Sequence, residues 1–527
     1  MFEAGWRKRY WSQIDQPWDV IVIGGGITGA SVYRRSVSAG FKTLLVEAND
    51  FSYGTSSKSS KLVHGGFRYL KNRQYDVTRE SVREREWLIR ASHGLVAPMS
   101  FIMPYSARKG MKSAFGIGVI LYDLMAPKWQ HSHLSLRKTR CAIPALSSEW
   151  VKGSFRYCDA IVDDSRLVMR LIEETTRDGG MALNYTHVTG LLNNASGQVN
   201  GISMEDRSGQ ALASASIHAR VVINATGPWS DGLRNEVGGY SRIRPLRGSH
   251  LIFPRERLPI NSAVTLQHPK DRRAMFAIPW EGVTLVGTTD LDHAENLDAH
   301  EPYCTKAEID YILEAANATF PNSQLRKEDI ISSFAGVRPI VRGDATDPSK
   351  ESRAHVVWDE HGMLTITGGK LTIFRIMAED TLKLAAAKLE QPLQPLKQWF
   401  KPVHVDRRPD HISASTWSYL LARYGDAIQP FLETASSDEL LPIQPLANTL
   451  AELKYAARTS AVEHLDDLLL RRVRLGMLLP NGANDLLGTI KPIVQLELGW
   501  DEARWEEEVS RYRSIYEGAY SPQPTGY

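Results

Sequence analysis

The chain has 527 residues, 43% of them hydrophobic and 23% charged, and carries a formal net charge of +3. At about 150 residues per domain this length calls for several folding units, and so small a net charge argues against a general nucleic-acid partner. Three scattered cysteines, Cys141, Cys158 and Cys304, exclude a disulfide framework and a cysteine-built zinc site, so no metal is expected and a reducing, cytoplasmic setting is.

Residues 1–18 form a charged, Trp-bearing arm without the apolar core of a signal peptide. DVIVI (19–23) reads as a buried strand, GGG (24–26) as a tight turn, residues 27–39 as a helix stopped at Gly40, and TLLVE (43–47) as the next strand. A Ser/Lys/Gly-rich loop follows at 55–66, then a charged helix at 77–93. AFGIGVILYDLMA (114–126), flanked by Lys109, Lys112 and Lys128, is too short to cross a bilayer. It is expected in the buried core, with an interfacial segment on a membrane as the alternative. Residues 165–177 predict a helix capped by Asp163 or Asp164 and ended by Gly179 and Gly180. After a turn at 195–197, the strand VVI (221–223) runs into Asn224.

From 241 to 366 short apolar runs alternate with turn residues, which predicts an antiparallel sheet interrupted by one helix at 306–320. A helix is expected at 373–389 and a proline-bearing linker at 391–404. Helical spacing then recurs at 415–424, 449–463, 465–475 and 492–512. The fold class is therefore α/β with α+β. Its parts are the arm (1–18), a Rossmann-type dinucleotide unit (mainly 19–105, 155–235 and 330–390), a substrate sheet (mainly 106–154 and 236–329), a linker (391–405) and a separate helical C-terminal domain (406–527).

Gly24-Gly25-Gly26-Ile27-Thr28-Gly29 fits G-x-G-x-x-G. Gly24 permits the turn, Gly26 lets a pyrophosphate approach the backbone, and Gly29 lets the helix pack on the strand. The helix N–H groups and dipole favour the anion. Glu47, at the end of the second strand, has the spacing of an acid that accepts hydrogen bonds from ribose, which disfavours NADP. This motif does not separate FAD from NAD.

Further runs follow in order: TSSKSSKLVHGGFRY (55–69), NATGPW (224–229), IPW (278–280), GTTD (287–290), GVRP (336–339) and GGKLT (368–372). Together they resemble the FAD-dependent glycerol-3-phosphate dehydrogenases of the D-amino-acid-oxidase-like flavoprotein superfamily. The resemblance covers about residues 17–390. It extends more loosely to LLRRVRL (469–475) in the C-terminal domain. It implies FAD as the cofactor, contacted by Ala48 next to Glu47, then by Thr55, Ser56, Ser57, Lys61, Leu62, His64, Gly65 and Gly66. Ala225, Thr226, Gly227 and Trp229 return the chain to the cofactor. Gly369, Lys370, Leu371 and Thr372 are implied at the flavin ring, where a helix N-terminus stabilises negative charge.

The implied substrate, glycerol 3-phosphate, needs cations for its phosphate and a proton acceptor or alkoxide-stabilising cation at C2. Arg68, Arg338 and Lys370 are expected to gather phosphate or the polarised oxygen, with Tyr69 as a hydrogen-bonding partner. His250 is expected as the proton acceptor, with Arg338 or a water as alternatives. Asp290 reads as a turn-fixing residue, and Trp280 as core. Arg471, Arg472, Arg474 and Lys491 read as a solvated basic helix face, with anionic lipid contact as the alternative. The resemblance also implies peripheral membrane contact and a quinone acceptor, and a homodimer is one assembly compatible with it. The competing reading is an oxidase of the same fold that acts on an amine or another phosphorylated alcohol. A third is a flavin-binding partner protein with little catalysis. Two departures from the family stand out. The arm is long, which suggests packing on a neighbour or a membrane, and Ile373-Phe374-Arg375 stands where a Thr and a Tyr often precede the Arg.

Overall fold

A computed structural model describes residues 2–67, 74–126, 129–146, 149–209, 214–343, 354–396, 398–404 and 407–526. Arg68 and Tyr69, expected at the substrate, lie outside the described residues.

Two sheets organise the molecule. The first has the strand order 355–360, 363–368, 214–224, 18–23, 43–46, 181–183. Its centre is parallel: Trp18–Ile23 pairs Val20 with Val221 on one side and Val22 with Leu45 on the other. Strands covered on both faces must be apolar throughout, which is why DVIVI and TLLVE read as unbroken hydrophobic runs. The helices Ile27–Ser38, Asp164–Arg177 and Phe374–Leu389 cover this sheet and share one core with it. Asp163 caps the second of them by accepting the Arg166 N–H.

The second sheet has ten strands and is antiparallel except where Ala263–Gln267 runs parallel to Val96–Ser106. It includes Val96–Ser106, Val151–Val162 and Ser332–Val341, of which 96–105, 155–162 and 332–341 belong to the stretches expected in the dinucleotide unit. The chain thus crosses between the sheets more often than composition suggests, because these strands pair over long sequence distances.

The helical residues after 406 have a cluster of their own around Leu420, Tyr424, Phe431 and Tyr455, and they also pack on the second sheet. Leu453, Leu469, Tyr512 and Tyr516 share one hydrophobic cluster with Leu62, Phe101, Ile278 and Phe334 of the second sheet. The expected helix at 492–512 is two, Leu487–Leu498 and Glu502–Ile515, separated at Gly499 (φ 67°). The arm packs on its own chain: Phe2, Trp6 and Arg7 of the helix region Trp6–Trp11 are buried, with Phe2 against Phe51.

Arg471, Arg472 and Arg474 are at most 2% exposed and make no basic face, while Lys491 pairs with Glu502. The segment 114–126 is also corrected. It falls within Met111–Leu124, whose Val119 and Tyr122 are buried, but Ile117 (60%) and Leu124 (67%) face outward with Ile120 and Leu121.

Candidate functional site

One cavity of about 910 Å³ runs between the two sheets, a volume at the upper end of small-molecule sites (about 300–1,000 Å³). Its first wall is the glycine turn. The helix Ile27–Ser38 starts at Gly26, which offers no side-chain cap, so its N-terminal end opens on the cavity. Gly26, Ile27 and Thr28 line it, and the Ile27 N–H donates to Ser56 Oγ at 2.8 Å. A Cβ on Gly26 would meet Ser56 Oγ at 3.0 Å and fill this cradle. Gly29 does not line the cavity. A Cβ there would lie 1.7 Å from the Gly24 carbonyl oxygen, so its role is the close packing of helix on turn. Glu47 lines the cavity with Ala48. Its carboxylate accepts from the Gly25 N–H at 2.6 Å and the Asn49 N–H at 2.9 Å. Burial outweighs these bonds and raises its pKa.

The second wall comes from the loop after Gly54. Thr55, Ser56, Leu62, His64 and Gly66 line the cavity, as do Ala225, Thr226, Gly227 and Trp229. Ser57, Lys61 and Gly65, also expected as contacts, stand behind it. Ser57 is 2% exposed. Lys61 is buried and its Nζ donates to Asp164 at 2.9 Å. The Gly65 N–H donates to Asp159 at 3.1 Å, and a Cβ there would strike Val82 and Tyr122.

The third wall carries charge. Gly368 and Gly369 have φ of 76° and 65°, a left-handed pair that only glycine adopts readily. They turn the chain so that Gly369, Lys370, Leu371 and Thr372 line the cavity. Burial pushes the Lys370 ammonium down to about 7, against partial compensation by Glu80 and Asp159. Ile373 and Phe374, the departures from the family pattern, are core residues.

Arg338 lines the same cavity from the strand Ser332–Val341. Its Nη2 donates to Thr288 Oγ1 at 3.1 Å and its Nη1 to Asp290 at 3.3 Å. Gly248, on the neighbouring strand two residues beyond Arg338's partner Leu246, makes room for it: a Cβ there would lie 2.4 Å from Nη2. Asp290 also pairs with Arg273 at 3.4 Å, and all three line the cavity. Asp290 therefore does more than fix a turn. Trp280 is core as expected, at 3% exposure.

His250 does not line the cavity and is 1% exposed. Its ring stacks on Phe334, and its Nε2 is hydrogen-bonded to Ser60 Oγ at 2.8 Å. Ser60 does line the cavity, so His250 reaches it only through that hydroxyl. Burial, with Arg338 and Lys61 nearby, pushes its pKa well down and keeps the imidazole neutral. Arg273, Ser60 and Asp290 are among the polar lining residues that the sequence did not assign to the site, together with Lys58, Ser59 and Thr288. The signal available for Arg273 was its place one strand start before the IPW run.

The chain matches the family described as FAD dependent oxidoreductase over residues 19–375 and the C-terminal domain of alpha-glycerophosphate oxidase over residues 365–505. It is 33% identical over 526 residues to glycerol-3-phosphate dehydrogenase 2 of Mycobacterium tuberculosis strain H37Rv, covering 95% of this chain and 88% of that one. It is 37% identical over 385 residues to the aerobic glycerol-3-phosphate dehydrogenase of Staphylococcus saprophyticus, covering 71% and 68%. Among solved structures it resembles the glycerol-3-phosphate dehydrogenase of Bacillus halodurans complexed with FAD, at TM-score 0.78 and 26% identity over the full length of both chains.

Proposed function

The chain belongs to the glycerol-3-phosphate dehydrogenases among the FAD-dependent oxidoreductases, and from that membership we propose that it oxidises sn-glycerol 3-phosphate at C2 to dihydroxyacetone phosphate. FAD is its cofactor, and the chain fits it: an uncapped helix start for the pyrophosphate, a ribose acid on the next strand and glycine gaps where side chains would intrude. When bound, FAD supplies an acceptor for the two electrons that leave C2 as hydride.

The observation that carries the substrate reading is the cationic wall of Arg338, Arg273 and Lys370 in the same cavity as that cradle. Arg338 offers a planar fork for phosphate, pre-aimed by Thr288 and Asp290. Lys370 holds the polarised C2 oxygen. The hydroxyl proton passes to Ser60 Oγ as Ser60 gives its own to His250 Nε2, so C2–H leaves as hydride and O–H as a proton.

Anaerobic mixing of the FAD-loaded protein with glycerol 3-phosphate is expected to bleach the flavin absorbance, whereas glycerol leaves it unchanged over the same time. Equal bleaching by glycerol would sink the phosphate assignment. Reoxidation then separates the acceptors. A soluble quinone analogue is expected to restore the colour faster than oxygen. Fast, peroxide-yielding reoxidation by oxygen would instead favour the oxidase reading, which the C-terminal domain's likeness to alpha-glycerophosphate oxidase keeps in view.

Quinones reside in membranes, and the exposed face of Met111–Leu124 is the surface that would meet one. Ile117, Ile120, Leu121 and Leu124 project outward with Arg108, Lys109 and Lys112 exposed at its start, a pattern of an apolar patch rimmed by cations. No described helix is long and apolar enough to cross a bilayer. The protein is expected to float with anionic vesicles, and Ile117→Glu with Leu124→Glu to sediment without them. Flotation of the double variant equal to wild type would remove this surface from the proposal.

A further inference from the structure

Two loops shape the cofactor cradle, Glu47–Ser56 and the TSSKSSKL segment, and one short stretch of the C-terminal region grips both from behind. Arg472 is bidentate to Asp50, with Nη2 at 2.7 Å from Oδ1 and Nη1 at 2.7 Å from Oδ2. Arg471 Nε donates to the same Oδ2 at 2.5 Å. Asp50 is three residues beyond Glu47 and fully buried. Burial alone would raise its pKa, but Arg472 and Arg471 outweigh it and hold the carboxylate charged.

Two residues further on, Arg474 pairs with Asp164 and lies 3.2 Å from Asp163. Its Nη1 donates to the Ser57 carbonyl at 3.2 Å. Asp164 in turn accepts from Lys61 Nζ at 2.9 Å and from Ser59 Oγ at 2.6 Å. Ser59 and Ser60 line the cavity. The arm joins the same network: Arg7 Nη2 donates to Asn184 Oδ1 at 2.6 Å, and Asn184 Nδ2 donates to Asp50 at 3.1 Å.

Desolvating so many charges is expensive, and apolar residues of similar volume would serve stability as well or better. What such pairs supply is fixed geometry. Here that geometry reaches the two cofactor loops as well as the C-terminal segment itself, where Arg471 also pairs with Asp466 and Asp467 and Arg472 donates to the Ser460 carbonyl. The gripping segment is itself irregular. Asp467–Arg472 is a π-helix, a form concentrated at functional sites, and Arg474 is held at φ 67°, a strained conformation for a residue with a side chain.

We infer that Arg471, Arg472 and Arg474 are positioning residues for the FAD cradle, so that docking of the C-terminal region and retention of FAD are one coupled equilibrium. The inference rests on the assigned cofactor and is independent of the substrate. Coupling is reciprocal: if docking tightens FAD, FAD tightens docking by the same factor.

FAD affinity is read from the fluorescence of released flavin, with no substrate present. Arg472→Met is expected to weaken FAD binding at least 10-fold and Arg472→Lys by less, while Arg458→Met, which breaks only the partly exposed pair with Glu497, changes it less than 2-fold. Equal affinity for Arg472→Met and wild type overturns the inference. Should that variant not fold, the wild type decides. Amide exchange of residues 464–474 is expected to speed up at least 10-fold on stripping FAD, while the helix Ala414–Tyr424 changes little. Unchanged exchange at 464–474, or a uniform loss of protection across the chain, overturns it. Failure of glycerol 3-phosphate to bleach the flavin would leave these readouts untouched.

Discussion

Arg338→Ala is expected to lower kcat/KM for glycerol 3-phosphate about 10²–10³-fold, almost all of it as a higher KM, with the flavin spectrum unchanged. The guanidinium is 27% exposed at the cavity wall and held from behind by Thr288 and Asp290. It is therefore placed before substrate arrives, and little ordering entropy is left to lose. Truncating one member of a hydrogen-bonded charge pair removed from water costs about 2–5 kcal/mol, which sets the scale of the fall. The phosphate is remote from C2 and is gripped alike in ground and transition states, so its loss is uniform binding and appears in KM. Arg338→Lys should recover only part, because an ammonium cannot reproduce the two-pronged geometry. Turnover of glycerol, slow to begin with, should be the same in wild type and variant. A KM for glycerol 3-phosphate unmoved by Arg338→Ala would place the phosphate elsewhere. Arg273, which shares Asp290, would be the next residue to test.

The parts of the site that a reader of the sequence can find are those whose function is local. Gly24, Gly26 and Glu47 act through a turn and the strand that follows it, so spacing alone locates them. Motif membership does not tell which way a side chain faces. Lys61 and Gly65 belong to the same run as Leu62 and His64, yet the first two do not line the cavity and bond instead to Asp164 and Asp159. His250 shows the same limit, since a strand places it one hydroxyl away from the cavity it was expected to enter. Arg471, Arg472 and Arg474 read as a solvated face because cations usually seek water. Their partners Asp50, Asp163 and Asp164 are more than 300 residues earlier in the chain, and no local pattern reveals such a pairing. The helix at 111–124 failed in the opposite sense. Its apolar residues announce burial, but whether they meet protein or another phase depends on a neighbour that periodicity cannot name.

Lys370 sets the expected pH dependence, and the sign follows from its charge. In the cavity burial lowers its pKa to about 7, so it is an ammonium below that pH and a neutral amine above it. A phosphate monoester carries its second charge above a pKa of about 6. An ammonium that holds an anionic substrate and its C2 oxygen is lost as pH rises through about 7, just as the substrate has become a dianion. The profile of kcat/KM, which follows groups of the free enzyme and of the free substrate, is therefore expected to rise through about 6 and fall above about 7. Lys370→Met should remove the alkaline fall and lower the plateau about 10²-fold, in line with the roughly 1.5–3 kcal/mol of a hydrogen bond to a charged group. Lys370→Arg keeps a cation at every accessible pH, so its profile should stay level on the alkaline side while retaining part of the activity. If the amine were instead the general base, the wild-type limb near 7 would slope upward with pH. Such an upward slope, or an alkaline fall near 7 that survives in Lys370→Arg, would take Lys370 out of the role assigned to it and leave the Ser60–His250 pair as the group that sets the profile.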